Sequence, residues 1–206
     1  MTTAAERYDD AMAQRADQIE LFAALAAAYP VRRVLYPGSY VDITPSWVFP
    51  SVTYVDTDRR AKRFFADVAG VRDLVHARRR HGDDPEIVFH HADYTGALDE
   101  PTASFDLLVS LYAGFVSPSC TRYLRRGGWL LANDSHGDAS MAQLDPGYQL
   151  VAAVHHRPGR YRLETEQLDA YFVPKRATVV TPELLRASNR GVGYTKPAAA
   201  YVFQRR

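Results

Sequence analysis

Five short apolar runs, each closed by a cluster of polar side chains, set the fold class of this chain. They are VRRVLYPG with Val34, Leu35 and Tyr36, SVTYVDTD at residues 51–58, EIVFHHADY, SFDLLVSLYAG and WLLANDS. Each is rich in β-branched and aromatic residues and stops at turn formers, as strands do. Helical stretches lie between them. Residues Ala4 to Tyr29 repeat Ile19, Phe22, Leu25 and Tyr29 at helical spacing, and Pro30 closes that run. Asp58 can cap a helix whose Ala61, Phe64, Phe65 and Val68 share a face, with Gly70 ending or kinking it. VRDLVHARRR continues as helix. Ser117-Pro118 reads as cap and first position of a short helix, which Gly127-Gly128 stops. Nearly continuous apolar strands alternating with helices predict a parallel sheet covered on both faces, an α/β fold. YQLVAAVHH, YRLETEQLDAYFVP and AAAYVFQRR have strand character, with one helix opened by Thr181-Pro182, so the tail reads as an antiparallel C-terminal addition.

Composition narrows the function classes. Hydrophobic residues are 47% and charged residues 24% of 206, which excludes a disordered or fibrous chain. With 25 Lys+Arg against 24 Asp+Glu, the formal charge of +1 argues against nucleic acid and membrane partners. The lone Cys120 excludes an internal disulfide and a Cys-based zinc cage, and suits a reducing compartment. The start, MTTAAERYDDAMAQRADQIE, has no apolar core, so the expected location is the cytoplasm.

Open α/β sheets bind ligands beyond the carboxyl ends of their strands, where strand order reverses. Those ends carry Gly38-Ser39-Tyr40-Val41-Asp42, Asp56-Thr57-Asp58, Asp93-Tyr94, Ser110-Leu111-Tyr112 and Asn133-Asp134-Ser135-His136-Gly137-Asp138. Gly38 and Asp56 lie 18 residues apart. That is near the ~20 between a turn glycine and an acid that grips a ribose diol. A carboxylate suits that role because it accepts from two hydroxyls at once. The plainer account is that Asp56 ends a strand and opens a turn; Asp93 after the third strand favours the ligand reading.

On these residues the chain resembles the class I S-adenosylmethionine-dependent methyltransferases, a Rossmann-like fold. VRRVLYPGS is similar to the family's first motif, SVTYVDTD to its second strand, FHHADY to its third, and SFDLLVSLYAG with LRRGGWLLAND to its fourth and fifth. The resemblance implies one domain over residues 1–206: an N-terminal helical segment (1–30), a nucleotide-binding core (31–140) and a strand-rich part (141–206). It implies a seven-stranded sheet with one antiparallel strand near its end. It also implies S-adenosylmethionine as cofactor, with Asp56 on the ribose, Asp93 on the adenine edge, and Gly38, Ser39, Thr57, Tyr94 and Ser110 around it. The substrate would be a small molecule. The first motif departs from the family pattern: Tyr36 stands in the acid's place, and of three glycines only Gly38 remains, with Tyr40 and Asp42 in the later positions. Residues 39–51, containing Pro45 and Pro50, leave room for a minimal crossover of one or two turns. The alternative is therefore a methyltransferase-like binding or scaffold protein that has lost the cofactor, and a third is a Rossmann-like enzyme using another adenosine cofactor.

The remaining candidates each carry two readings. His136 can act as general base, oriented by Asp134 or Asp138, or the loop is a solvated turn. Tyr112 can touch methyl donor or acceptor, or pack over the sheet edge. Tyr148, Tyr161, Tyr171 and Tyr194 can wall a substrate or simply pack. His90-His91 and His155-His156 cannot chelate one ion as pairs, because successive strand residues face opposite ways. Arg78-Arg79-Arg80 ends a helix, where cations are favoured.

Overall fold

Helix α1 (Gln18–Ala28) buries Leu21, Phe22 and Leu25 on one face and ends at Tyr29, whose extended backbone is what a residue before proline adopts. The computed structural model describes Glu6, Tyr8 and residues 17–206; the rest of the helix expected from Ala4 lies outside the described residues. Strand β1 (Arg33–Pro37) is central. It pairs in parallel with β2 (Ser51–Val55), from Arg33↔Ser51 to Pro37↔Val55, and with β4 (Phe105–Ser110) through Val34↔Leu107 and Leu35↔Leu108. Strand β3 (Glu86–His90) adds in parallel to β2, and β5 (Leu124–Ala132) in parallel to β4. Strand order reverses between β1 and β4.

The tail joins the same sheet. Strand β6 (Tyr148–Arg157) forms a hairpin with β7 (Arg160–Glu164), and β8 (Ala200–Arg205) inserts between β5 and β6. The order is β3-β2-β1-β4-β5-β8-β6-β7. The sheet thus has eight strands where the resemblance implies seven, and both β7 and β8 run against the rest. The extra strand is β7, an edge made possible by the two-residue Pro158-Gly159 turn, with Gly159 at φ +73°.

Period-two alternation divides the core between the faces. Val34, Tyr36, Val52, Tyr54, Leu107 and Val109 point to the side covered by α1, the 3₁₀ turn Thr44–Trp47, α2 (Arg59–Phe65) and α3 (Val68–Arg78). Leu35, Val55, Leu108, Leu130 and Phe203 point to the side of α4 (Val116–Cys120) and α5 (Asp138–Leu144). Helix α6 (Pro182–Ser188) is capped by Thr181, whose hydroxyl accepts from Leu184 N. The minimal crossover is realised as that 3₁₀ turn, with Pro45 in its first positions.

Three local expectations need correction. The break after α2 falls at Ala66-Asp67, because the Asp67 carboxylate accepts from Gly70 N and starts a new helix; Gly70 lies inside α3 and Val68 is 62% exposed. Helix α4 begins at Val116, so Ser117 and Pro118 lie within its first turn. Gly127-Gly128 does not end that helix: it forms a bulge inside β5, where the register jumps from Phe105↔Leu124 to Leu107↔Trp129. Gly127 takes φ +73°, and a Cβ on Gly128 would stand 2.9 Å from the backbone oxygens of both Arg125 and Asp106. Backbone cannot yield as a side chain can. Gly128→Ala is therefore expected to cost ~1–3 kcal/mol in urea unfolding, while the exposed Gly82→Ala, with open space around it, changes stability little.

Candidate functional site

The turn after β1 is shaped by its backbone. Gly38 lies at φ +66° and Tyr40 at φ +51°, both in the left-handed region that glycine enters freely and other residues enter at about 1 kcal/mol or more. Gly38 N donates to Val55 O (2.7 Å), and a Cβ on Gly38 would overlap the Ala113 Cβ in the turn after β4. The loops on either side of the reversal thus close to backbone contact. Asp56, at the tip of β2, binds this turn: one carboxylate oxygen accepts from Tyr40 N and the other from Asp58 N, both at 2.7 Å. The Arg60 guanidinium meets the Tyr40 side chain. Ser39 is buried, and its Oγ has no hydrogen-bond partner among the described residues.

The other strand ends differ in character. Asp93 is exposed, and its carboxylate accepts from Thr95 N (2.9 Å) and Thr95 Oγ1 (2.8 Å), hydrogen bonds that hold its carboxyl below the ordinary value. Thr57 is exposed and its carbonyl meets His91 Nε2 at 2.9 Å. The Tyr94 hydroxyl donates to Ala113 O, and burial pushes its phenol up to about 12. Ser110 donates to Asp138, whose carboxylate is 1% exposed and also accepts from Ser117 Oγ (2.6 Å) and Ser117 N. Burial raises the Asp138 carboxyl despite those donors.

The loop after β5 does not assemble as the general-base cluster its composition suggests. Asp134 accepts from Ser140 N (2.8 Å) and Ser140 Oγ (2.9 Å), and Asp138 is engaged by Ser110 and Ser117, so neither carboxylate orients the half-buried His136. Tyr112 does stand at the edge: it is 55% exposed, at φ +62°, with its N–H donated to Asn133 Oδ1.

A pairing that no sequence spacing marks lies beside Tyr112. His156 Nε2 meets Asp17 Oδ2 at 2.6 Å, and its ring stacks on Tyr161 at 4.4 Å. That hydrogen bond holds the Asp17 carboxyl below its ordinary value. An ionised carboxylate only accepts, so Nε2 is the donor of this pair. Both side chains line a cavity of about 180 Å³ with Leu21, Leu111, Tyr112 and Tyr161. An engineered cavity of about 150 Å³ accepts benzene, so this one has room for a single ring. The only sequence signal was the β6 alternation, which sets His156 opposite His155; Asp17 comes from the far end of the chain.

The histidine pairs behave as alternation requires. His90 turns to Glu100 (2.9 Å) while His91 turns to Thr57, and His155 turns to Tyr171 (2.6 Å) while His156 turns to Asp17. Among the described residues no three His, Cys, Asp or Glu side chains gather as a metal site, and no helix is long and apolar enough to cross a membrane. Cys120 is buried, and burial pushes its thiol up to about 12. Of the four tail tyrosines only Tyr161 lines the cavity; Tyr148 and Tyr171 pack in the opposite core, and Tyr194 bonds Ser140.

Solved structures share this architecture. A candidate O-methyltransferase from Klebsiella pneumoniae is 14% identical, with a TM-score of 0.51 over 72% of this chain and 77% of its own. A methyltransferase from Geobacter sulfurreducens is 13% identical, with a TM-score of 0.50 over 72% and 82%. No protein-family model and no curated protein matches the chain. What is shared at this identity is the fold: the chain has the Rossmann-like fold of class I methyltransferases, as its strand order and reversal point indicate.

The closure at Gly38 is directly testable. Gly38→Ala is expected to lower stability by about 2 kcal/mol or more, since it combines a left-handed backbone with a steric overlap. Adding Ala113→Gly should recover part of that loss by removing the overlap alone. Urea unfolding of the single and double variants measures both contributions.

Proposed function

We propose that this chain is an S-adenosylmethionine-dependent methyltransferase acting on a small molecule. The observation that carries the reading is Asp56 at the tip of β2, held against a turn whose Gly38 and Tyr40 are both left-handed. The residues fit an adenosine cofactor. Each Asp56 oxygen takes one backbone N–H, and a carboxylate has about four acceptor sites, so capacity for a ribose diol remains. The Ser39 Oγ gives the same turn a hydrogen-bonding group without a partner among the described residues. Gly38, Ser39 and Asp56, with Thr57, Asp93, Tyr94 and Ser110 around them, are the residues proposed to hold it. When bound, the cofactor supplies an activated methyl group.

The chain's own contribution is placement and proton removal. The cavity beside Tyr112 positions a compact, ring-sized acceptor, and position alone accounts for much of the rate in such transfers. His156, oriented by Asp17, takes the proton from an acceptor hydroxyl or amine through Nδ1. His136 remains the alternative base in the loop after β5.

A second reading rests on Tyr40. Its side chain, which meets the Arg60 guanidinium, stands at a position where the family pattern has a glycine, and this favours a methyltransferase-fold binding protein without cofactor.

Calorimetric titration with S-adenosylmethionine and S-adenosylhomocysteine separates the two. Saturable binding is expected, with Asp56→Ala weakening it by about tenfold or more. No binding at millimolar ligand, in wild type and in Tyr40→Gly alike, sinks the enzyme reading. If binding holds, His156→Ala is expected to lower turnover by about 10²–10⁴ with cofactor affinity unchanged. A larger loss in His136→Ala would move the base to the loop after β5.

A further inference from the structure

The β6–β7 hairpin carries its cations in rungs. The register His155↔Arg162 and Arg157↔Arg160 places four basic side chains on one face, opposite the face that holds His156 and Tyr161. Directly opposed like charges repel. Several cations outside the hairpin are matched: Arg32 with Asp83, Arg72 with Asp84, Arg80 with Glu20 and Arg125 with Asp106. On the hairpin, Arg162 meets Glu164 at 2.9 Å, and Lys196 Nζ lies 4.2 Å from the centre of the Tyr171 ring. The Arg157 and Arg160 side chains make no hydrogen bond or ion pair among the described residues. These groups line a cavity of about 460 Å³ in which Glu164 is the one carboxylate. Burial, then the charges of Arg162 and Lys196, push the His155 imidazole down, which registers the positive potential there.

The hairpin is also held in place. Asp17 takes His156 Nε2 and Gly159 N, anchoring the turn to the start of α1. The two arginines beside the turn are thus fixed at their Cα atoms, about 4.5–5.5 Å apart as in any antiparallel pair. Two guanidinium forks at that spacing can straddle one tetrahedral oxyanion and donate to it in bidentate fashion.

We propose that this cavity binds the phosphate group of a small molecule, with Arg157 and Arg160 as its principal donors and Arg162 and Lys196 at its rim. The site does not depend on the methyltransferase reading, since none of its donors lies at the turn after β1.

Titration of the full chain with inorganic phosphate and with pyrophosphate at low ionic strength tests it. Saturable binding is expected, tighter for pyrophosphate. The Arg157→Ala/Arg160→Ala double variant should bind at least about tenfold more weakly, and Arg176→Ala, an exposed cation away from the cavity, as wild type does. Both hairpin arginines are exposed and unpaired, so the double variant should keep the wild-type thermal midpoint in phosphate-free buffer. Lost binding then reports the site and not the fold. The proposal is overturned by no saturable binding at millimolar pyrophosphate, by equal affinity in the double variant, or by an equal loss in Arg176→Ala. Binding to phosphatidic acid vesicles without binding to soluble pyrophosphate overturns it too.

Discussion

The contact between the turn after β1 and the turn after β4, where Gly38 meets Ala113, sets the geometry of the carboxyl edge of the sheet. Parallel strands on either side of the reversal point diverge in their connections, so a crevice opens there by topology alone. How wide it opens depends on how closely the loops approach. A residue without a side chain at position 38 brings them to backbone contact, and Asp56 then ties the same turn to β2 through Tyr40 N. The turn after β1 is thereby held at both sides through main-chain groups.

Two buried carboxylates brace this edge from opposite faces. On the α1 side, Asp42 accepts from Gln18 Nε2 (2.6 Å), Thr44 N (3.0 Å) and the Tyr36 hydroxyl (3.2 Å). On the α4 side, Asp138 accepts from Ser110 and Ser117. A buried charge is tolerable only when several donors surround it, and each of these carboxylates draws its donors from separate elements. Asp42 links α1, β1 and the 3₁₀ turn, while Asp138 links β4, α4 and α5. With the loops so held, Tyr112, Asp93, Thr57 and the His156–Asp17 pair are among the groups left at the surface.

Much of the architecture was legible in the chain. Tyr36 illustrates why: an aromatic in an apolar run before Pro-Gly belongs to a central strand, and its hydroxyl finds Asp42 at the edge. Short-range chemistry misled where long-range pairing decided. Gly127-Gly128 is a turn signal in isolation, yet β4 draws both residues into β5 as a bulge. Asp134, Ser135, His136 and Asp138 lie together in sequence, yet Ser140, Ser110 and Ser117 take the carboxylates before His136 can. The tail has strand character on either side of one helix, but the insertion of β8 between β5 and β6 follows from pairing partners across the sheet.

The sequence by itself determined the period of each element, the polar groups at each strand end and the spacing of Gly38 from Asp56, because these depend on local conformation and on burial along one segment. Only the tertiary structure decided which polar groups meet. Asp17 and His156 are 139 residues apart and become partners because the β6–β7 hairpin folds back onto the start of α1. Arg157 and Arg160 become an opposed pair because a two-residue turn sets the hairpin register. Side-chain chemistry is written residue by residue, whereas distance between segments is set by the packing of the whole sheet.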